Sequence, residues 1–178
     1  LRFTWEILKD SHSLRAMDAT QIESLTREST ERAVQALERR AERRHCNVRK
    51  RVGSACLDLE IQRVAALLNS WLQLEAQREG DFSVIEQEDS HELTLGSLIL
   101  NLRPDRIDQL EGGRQVVIDY KTGAVHRSSW LGERPSDAQL PLYALLNDSV
   151  EGVAFGRVHR EGVEYVFLGE ALGLGGKE

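Results

Sequence analysis

The sequence predicts a mixed α/β domain in which a central β-sheet is flanked by helices and preceded by a helical lobe. Two observations lead to this prediction. Through the first 80 residues, apolar side chains recur at intervals of three and four, which is the period of amphipathic helices. From Phe82 onwards, short alternating or β-branched runs are separated by glycine-containing turns, which is typical of strands. We therefore expect a single domain over residues 1–178, with a helical part at 1–80 and a core at 81–170.

Composition places the chain among ordinary globular proteins. Its 178 residues are enough for one hydrophobic core, and its apolar and charged contents of 40% and 29% are average. No window approaches the roughly 18 apolar residues that a membrane helix needs, and no secretory signal is recognisable, so we expect no membrane partner. Cys46 and Cys56 are too few for a disulfide framework, which favours reduced thiols in the cytoplasm.

The overall charge argues against a protein that coats nucleic acid by bulk electrostatics, because the net charge is −6. A local exception is the segment from Glu38 to Arg51, which holds seven basic and two acidic residues. Two interpretations stay open for it, a solvated helix end or a patch that contacts phosphates. Because the chain starts at Leu1, within an apolar and aromatic segment, we also expect it to be the C-terminal part of a longer protein.

Three helices are predicted in the first part of the chain. The first ends within residues 1–14, and Asp18 to Thr20 supply a cap for the second, whose apolar stripe runs through residues 22–41. Gly53 opens the third helix, which ends near Gly80 and carries a strong apolar stripe.

The second part of the chain predicts an antiparallel meander. Its strands are Phe82 to Leu95, Leu98 to Asp108 and Gln115 to Tyr120, with a turn at Gly96-Ser97 and a hairpin turn at residues 111–113. A loop at 123–137, a short helix at 138–146 capped by Asp137, two closing strands at 152–159 and 163–168, and a frayed glycine-rich tail follow.

The chemistry concentrates where the third of these strands ends. Val116 to Ile118 is a buried run, and Asp119 and Lys121 follow it on one face because residues two apart in a strand share a face. Burying an acid and a base is costly unless they pair or bind something. The preceding strand offers Asp105 in the same way, and two carboxylates meeting at one point suit Mg²⁺ or Mn²⁺. A lysine beside such an ion can orient a water for attack on phosphate.

The string DRID…VVIDYKTG…QLPLYALL resembles the PD-(D/E)xK nuclease superfamily, and more narrowly its RecB/AddB-type exonuclease branch and the RecB-like DNA repair proteins of bacteria. The resemblance covers nearly the whole chain and is densest from Phe82 to Leu146. It implies a restriction-endonuclease-like core and a Mg²⁺- or Mn²⁺-dependent exonuclease that hydrolyses DNA in recombination and repair. It also implies DNA as the substrate and a helicase domain or subunit as a partner.

The resemblance implies roles for particular residues. Asp105 and Asp119 would hold the metal, Lys121 would serve the attacking water, and the backbone carbonyl of Tyr120 would add an oxygen ligand. The family also has a glutamate on the preceding strand, for which Glu88 fits the spacing better and Glu86 stays open.

Gln139 and Tyr143 lie four apart on one helical face and match a QxxxY pattern that in the family covers the site. Asp108 belongs to DRID but lies on the opposite strand face from Asp105, so a structural role, pairing with Arg106 or capping the turn, and a role in the site are both open. A further stretch resembles a family pattern for which we expect a structural role; it comprises Glu60, Arg63, Trp71, Leu72, Glu75, Arg78 and Phe82.

One feature of the family pattern is missing from the chain. The family carries an N-terminal histidine that contributes to the metal site, and none of the five histidines here matches it; they are His12, His45, His91, His126 and His159. The sequence therefore also predicts that this chain has impaired activity. The alternative function is a catalytically silent nuclease-fold module that binds DNA or a helicase.

Overall fold

The structure is a computed structural model that describes residues 1–126, 130, 138–169 and 176–177. Its helices are α1 (Arg2–Leu8), α2 (Ser11–Arg15), α3 (Ala19–Glu42), α4 (Val48–Val52), α5 (Ser54–Ala76) and α6 (Gln139–Tyr143). Its strands are β1 (Phe82–Glu86), β2 (His91–Leu95), β3 (Leu98–Leu102), β4 (Arg106–Leu110), β5 (Gln115–Lys121), β6 (Val150–His159), β7 (Gly162–Gly169) and β8 (Gly176–Lys177). Across these residues, no helix is long and apolar enough to cross a membrane.

Local sequence explains where the helices begin. Asp18 caps α3 by accepting a hydrogen bond from the Gln21 backbone N–H at 2.8 Å, and the Gln21 side chain returns the contact to the Asp18 N–H at 2.9 Å, as predicted. Gly53 precedes α5, also as predicted. The single helix expected within residues 1–14 is instead two helices, because Lys9 adopts a φ of 65° and Asp10 caps α2.

The strands form a six-stranded mixed sheet in the order β1-β4-β5-β6-β7-β8. Neighbouring strands are antiparallel except β5 with β6 and β7 with β8, which are parallel. The connection from β5 to β6 contains α6, as a parallel pair requires a crossover. Strands β2 and β3 form a separate two-stranded hairpin. The predicted mixed sheet with flanking helices is therefore confirmed.

Two of the predicted strands are wrong because each is broken in two. The strand expected from Phe82 to Leu95 ends at Glu86, and Glu88 then takes a left-handed φ of 55°, so it lies outside the strand and does not share the face of Phe82. The strand expected from Leu98 to Asp108 is interrupted at residues 103–105, where Pro104 has no N–H for the ladder. The predicted meander survives as β1, β4 and β5, with the hairpin inserted in it.

Strand β5 is buried on both faces, which explains its unbroken apolar run. Val116 and Ile118 pack into a core shared with the helices of the first part of the chain, including Trp71 of α5. Val117 packs on the opposite face with Leu140 and Tyr143 of α6. Since side chains alternate along a strand, Asp119 and Lys121 continue the α6 face and Tyr120 continues the α5 face.

Some predictions fall on residues that the structure does not describe. The predicted cap Asp137, most of the loop at 123–137 and most of the glycine-rich tail lie outside the described residues. The predicted closing strands correspond to β6 and β7.

Candidate active site

The ends of β4 and β5 bring two carboxylates together. These strands are antiparallel, with Arg106 opposite Ile118 and Ile107 opposite Val117; Asp105 directly precedes Arg106, and Asp119 directly follows Ile118. The Tyr120 backbone N–H donates a 2.8 Å hydrogen bond to Oδ2 of Asp105, which ties the two strand ends together. Asp105 is therefore bonded to the residue that directly follows Asp119, and both carboxylates belong to the same end of the β4–β5 pair.

Lys121 lies at this end of the pair and is held by two oxygen atoms. Its Nζ is 2.5 Å from Oδ2 of Asp119 and donates a 2.8 Å hydrogen bond to Oε1 of Gln139. The side chain of Asp119 is 3% exposed, whereas that of Lys121 is 32% exposed. The lysine therefore connects a buried carboxylate to the surface, and of the two ways to offset the cost of burial, pairing or binding a ligand, the structure shows the pairing.

Helix α6 covers the pair through its two polar residues. The amide of Gln139 also donates to Oδ1 of Asp119 at 2.7 Å and to the Tyr143 hydroxyl at 2.8 Å, and that hydroxyl donates to the Arg103 carbonyl at 3.0 Å. Since Gln139 and Tyr143 lie four residues apart on one helical face, both reach the same side of the sheet. The structure thus brings together five of the predicted site residues, namely Asp105, Asp119, Lys121, Gln139 and Tyr143.

Glu88 is near this site through its backbone, and its carboxylate is paired with arginines. Its N–H approaches the carbonyl oxygens of Pro104 at 3.1 Å and Asp105 at 3.3 Å. Its Oε2 accepts hydrogen bonds from Arg2 at 3.2 Å and Arg103 at 2.9 Å. Glu86, the open alternative, lies 2.7 Å from Nε2 of His91.

A buried ionic network lies on the α5 face of the same strands. Arg106 donates to both carboxylate oxygens of Asp108, at 2.5 and 2.7 Å, and to Glu75 at 2.7 Å. Arg78 joins Glu75 at 3.1 Å and Asp108 at 2.6 Å. Of the two interpretations left open for Asp108, pairing with Arg106 is therefore correct. Two carboxylates and two guanidinium groups balance in charge, which buried ions need.

This network touches the site through Tyr120. The Tyr120 hydroxyl accepts from Nη1 of Arg106 at 3.0 Å, and Tyr165 of β7 donates to Glu75 at 2.7 Å. Arg106 and Tyr120 are each adjacent in sequence to a candidate metal ligand. Sequence reasoning named Arg106 only as a possible partner of Asp108, and it did not single out Tyr165 or the link from Arg106 to Glu75.

Burial and charge shift the pKa of Glu75, Arg106 and Tyr120 in a definite direction. Burial alone would raise the pKa of Glu75, but the charges of Arg106 and Arg78 outweigh it and hold that pKa below its ordinary value. Burial would lower the pKa of Arg106, yet Asp108 and Glu75 hold it well above its ordinary value. Burial raises the pKa of the Tyr120 phenol. Glu75 and Arg106 therefore stay charged at neutral pH, and Tyr120 stays protonated.

The donor set at the strand ends suits a hard divalent cation by its chemistry. The carboxylates of Asp105 and Asp119 and the backbone carbonyl of Tyr120 are oxygen donors, the class that Mg²⁺ and Mn²⁺ prefer. The set is small, since the described part of the chain contains no group of three or more His, Cys, Asp or Glu side chains that could hold a metal ion. Mg²⁺ typically takes only one or two protein carboxylates and keeps several waters, so two carboxylates are compatible with it.

The geometry of the strand ends agrees with a comparison of the whole sequence against protein families. The family model of the PD-(D/E)XK nuclease superfamily matches residues 6–175. The chain belongs to the PD-(D/E)XK nuclease superfamily. Its members are typically metal-dependent nucleases, and the mixed sheet with flanking helices is consistent with the restriction-endonuclease-like fold of that superfamily.

Similarity to individual proteins is weaker than similarity to the family. No curated protein matches the sequence. A solved structure entitled "Crystal structure of SSO0001" is 21% identical over 68% of this chain and 62% of that chain, with a TM-score of 0.36. This nuclease-superfamily chain therefore spans less than two thirds of that protein, and at such a TM-score individual residues of the two do not correspond reliably.

Proposed function

We propose that this chain is a metal-dependent deoxyribonuclease of RecB/AddB type, which degrades DNA from its ends in recombination or repair. The observation that supports this most strongly is the cluster at the paired ends of β4 and β5. There Asp105 is bonded to the Tyr120 N–H, and Asp119, Lys121 and Gln139 are in mutual contact. The match to the nuclease superfamily over residues 6–175 supports the reaction class.

In this proposal Asp105, Asp119 and the Tyr120 carbonyl hold the cation. When bound, a divalent ion supplies Lewis acidity that activates water and neutralises charge on the phosphoryl oxygens. The chain itself positions these ligands, because the Asp105–Tyr120 hydrogen bond and the buried network below it restrain both strand ends. Glu88 would add an oxygen only if its carboxylate left Arg2 and Arg103.

Lys121 orients the attacking water in the proposed reaction. An ammonium group has three donors, and two of them are directed at Asp119 and Gln139. The ammonium also lies 5.0 Å from the centroid of the Phe155 ring, and the side chain is 32% exposed, so a water or a phosphoryl oxygen at the surface can reach it. Attack by water on phosphorus forms one P–O bond and breaks the bond to the leaving nucleotide oxygen, and no covalent enzyme intermediate is required.

A catalytically silent module is the second candidate, and one observation favours it. Apart from Asp105 and Asp119, the nearest carboxylate predicted for the site is Glu88, and two arginines neutralise it. A site with two carboxylates binds a cation less tightly than one with three, because each ligand adds affinity. In that case the same surface would bind DNA or a helicase without cleaving it.

The two candidates are separated by incubating linear and circular DNA, single- and double-stranded, with the protein and either Mg²⁺ or Mn²⁺. The proposal predicts degradation of linear DNA that is lost in Asp119→Asn and retained in Asp148→Asn, a change at an exposed residue before β6. Equal cleavage of circular DNA would exclude the exonuclease. DNA binding by the folded wild-type protein without any cleavage would support the silent module.

A further inference from the structure

A cleft of about 380 Å³ opens beside Lys121 on the surface of the protein. One wall is the middle of α5, and the opposite wall is formed by the end of β5 and the turn between β6 and β7. Leu1, Tyr120, Lys121 and Thr122 also line the cleft, so it borders the end of β5 on the α5 side of the sheet, next to the candidate active site. A DNA strand that contacts Lys121 can therefore run along this cleft.

Cationic groups dominate the rim of the cleft. Arg63, Lys121 and Arg160 line it, and no carboxylate does so among the described residues. This is an unusual concentration of positive charge in a chain whose net charge is −6. The Arg160 guanidinium makes no ion pair or hydrogen bond with the described part of the chain, so its donors are available to a ligand.

Arg63 is only partly committed elsewhere. Its Nε and Nη2 donate to Glu60 at 2.8 and 2.6 Å, while its Nη1 has no partner within the described ranges. Both side chains of this pair are at least half exposed, at 56% and 50%. Exposed pairs of this kind contribute little to stability, so an incoming anion can share or replace Glu60 at small cost.

The floor of the cleft is apolar, in contrast to its rim. Val64, Leu67 and Leu68 of α5 and Val158 of β6 supply it. An apolar floor with a cationic rim matches a nucleotide, whose base and sugar are largely apolar on their faces and whose phosphate is an anion. The volume is near the lower limit of ligand pockets, which fits one nucleotide and is too small for a duplex.

We propose that this cleft binds the nucleotide adjacent to the scissile phosphate of a single DNA strand, with Arg63 and Arg160 contacting its phosphate group. The inference rests on the proposed nuclease function and deepens it, because it requires that the strand leave Lys121 along α5. It makes the reacting end of the substrate single-stranded. Arg63 and Arg160 are positioning residues in this scheme, since they act on the substrate away from the reacting atoms.

The test uses steady-state cleavage of a short single-stranded oligonucleotide by wild-type protein, Arg63→Ala and Arg160→Ala. The matched control is Arg114→Ala, which removes an exposed arginine on the turn before β5. Each cleft variant should raise KM about tenfold, the usual loss for one hydrogen-bonded charge, while kcat changes less than about twofold. DNA binding should also be measured in Ca²⁺ by fluorescence anisotropy at a series of salt concentrations. In each cleft variant, the slope of log K against log salt concentration should be smaller in magnitude by about one unit than in the wild type.

A second arm identifies the phosphate. A methylphosphonate beside the scissile bond removes one charge, and it should weaken wild-type binding about tenfold but scarcely affect Arg160→Ala. If the wild-type enzyme cleaves DNA and KM is unchanged in both variants, the cleft is not the nucleotide-binding site, while the proposed function stays intact. Displacement of the oligonucleotide by hexaglutamate at equal ionic strength would assign the cleft to an acidic protein segment instead. A wild-type protein that neither binds nor cleaves DNA would overturn both proposals.

Discussion

The carboxylate of Asp105 accepts a 2.8 Å hydrogen bond from the backbone N–H of Tyr120, so a side chain at the end of β4 restrains the main chain at the end of β5. The residue before Tyr120 is Asp119 and the residue after it is Lys121. This one contact therefore couples the positions of both candidate metal ligands and of the candidate catalytic lysine. The hydrogen bond requires an acceptor oxygen on the side chain and does not require the negative charge, so the structural role and the charge of Asp105 can be tested separately.

Asp105→Asn should keep the fold and lose the cation. The amide oxygen of asparagine can accept the same Tyr120 N–H, so the free energy of unfolding should fall by less than about 1 kcal/mol. The lost charge should weaken Mn²⁺ binding at least about tenfold in isothermal titration calorimetry, since hard cations depend on charged oxygen ligands. Asp148→Asn is the control, and equal Mn²⁺ affinity in Asp105→Asn would remove Asp105 from the ligand set.

Lys121→Ala should abolish cleavage with little effect on DNA binding. A positioned group that serves the attacking water contributes about 10²–10⁴-fold to the rate, so kcat should fall at least a hundredfold. Affinity for DNA in Ca²⁺ should stay within about threefold, because Lys121 acts mainly in the transition state. Single-turnover cleavage and anisotropy measure the two quantities, with Arg114→Ala as the control. A cleavage rate close to wild type would exclude Lys121 from the mechanism.

Asp108→Ala should destabilise the protein strongly. It would leave the buried guanidinium groups of Arg106 and Arg78 with Glu75 as their one carboxylate partner among the described residues, and breaking a buried pair costs about 3–5 kcal/mol. Urea denaturation followed by circular dichroism gives the free energy of unfolding. The control is Glu31→Ala, which removes an exposed ion pair with Arg27 and should cost less than about 1 kcal/mol. A similar decrease in the free energy of unfolding for the two variants would contradict a stabilising role of the buried ionic network.

Glu75 should make stability fall with acidity. Its folded-state pKa lies below the ordinary value of 4.5, so the stabilisation is complete above that value and is lost as the pH falls through the folded pKa. Below about pH 4.5 the wild-type free energy of unfolding should therefore decrease more steeply than that of Glu75→Gln, by up to about 1.4 kcal/mol per pH unit. Denaturation at a series of pH values tests this, with Glu92→Gln on the exposed side of β2 as the control. Parallel curves for wild type and Glu75→Gln would refute it.

Gly156→Ala should disturb the site from the α5 face of the sheet. A Cβ at Gly156 would lie 2.8 Å from Cη2 of Trp71 and 2.8 Å from Cδ1 of Tyr120, closer than side chains tolerate. Overpacking of this kind costs about 1–3 kcal/mol, and displacement of Tyr120 should also lower kcat. Gly123→Ala is the control, because a Cβ there meets nothing within 4 Å among the described residues. Unaltered stability and kcat in Gly156→Ala would show that Tyr120 can move without consequence.

The candidate site was predictable in part because local patterns encode it. A β-branched run that ends in Asp119 and Lys121 predicts that both side chains lie on one face at the end of a buried strand. In the structure the two side chains are in contact. The four-residue spacing of Gln139 and Tyr143 predicts that they share a helical face. In the structure Gln139 donates hydrogen bonds to both Asp119 and Tyr143. Their roles in catalysis stay predictions, since geometry alone does not test them.

The errors arose where backbone conformation depends on distant partners. The alternation after Phe82 suggested one long strand, but Glu88 takes a left-handed conformation while its N–H bonds to carbonyls at residues 104 and 105. The apolar run from Leu98 suggested another, although Pro104 lacks the N–H that continued pairing requires. A periodic pattern reports which face of a strand is apolar, and it does not report where pairing stops.

By itself the sequence determined the long helices α3 and α5, the positions of β5, β6 and β7 and the side-chain types at the strand ends, because helix caps, periodicity and side-chain type act over a few residues. Only the tertiary structure decided that the Asp105 carboxylate bonds to the Tyr120 N–H of β5 and that Asp108 belongs to a buried network with Glu75 of α5, 33 positions earlier in the chain. Such pairings depend on strand order and register, which are set by the combined burial of both sheet faces rather than by neighbouring residues.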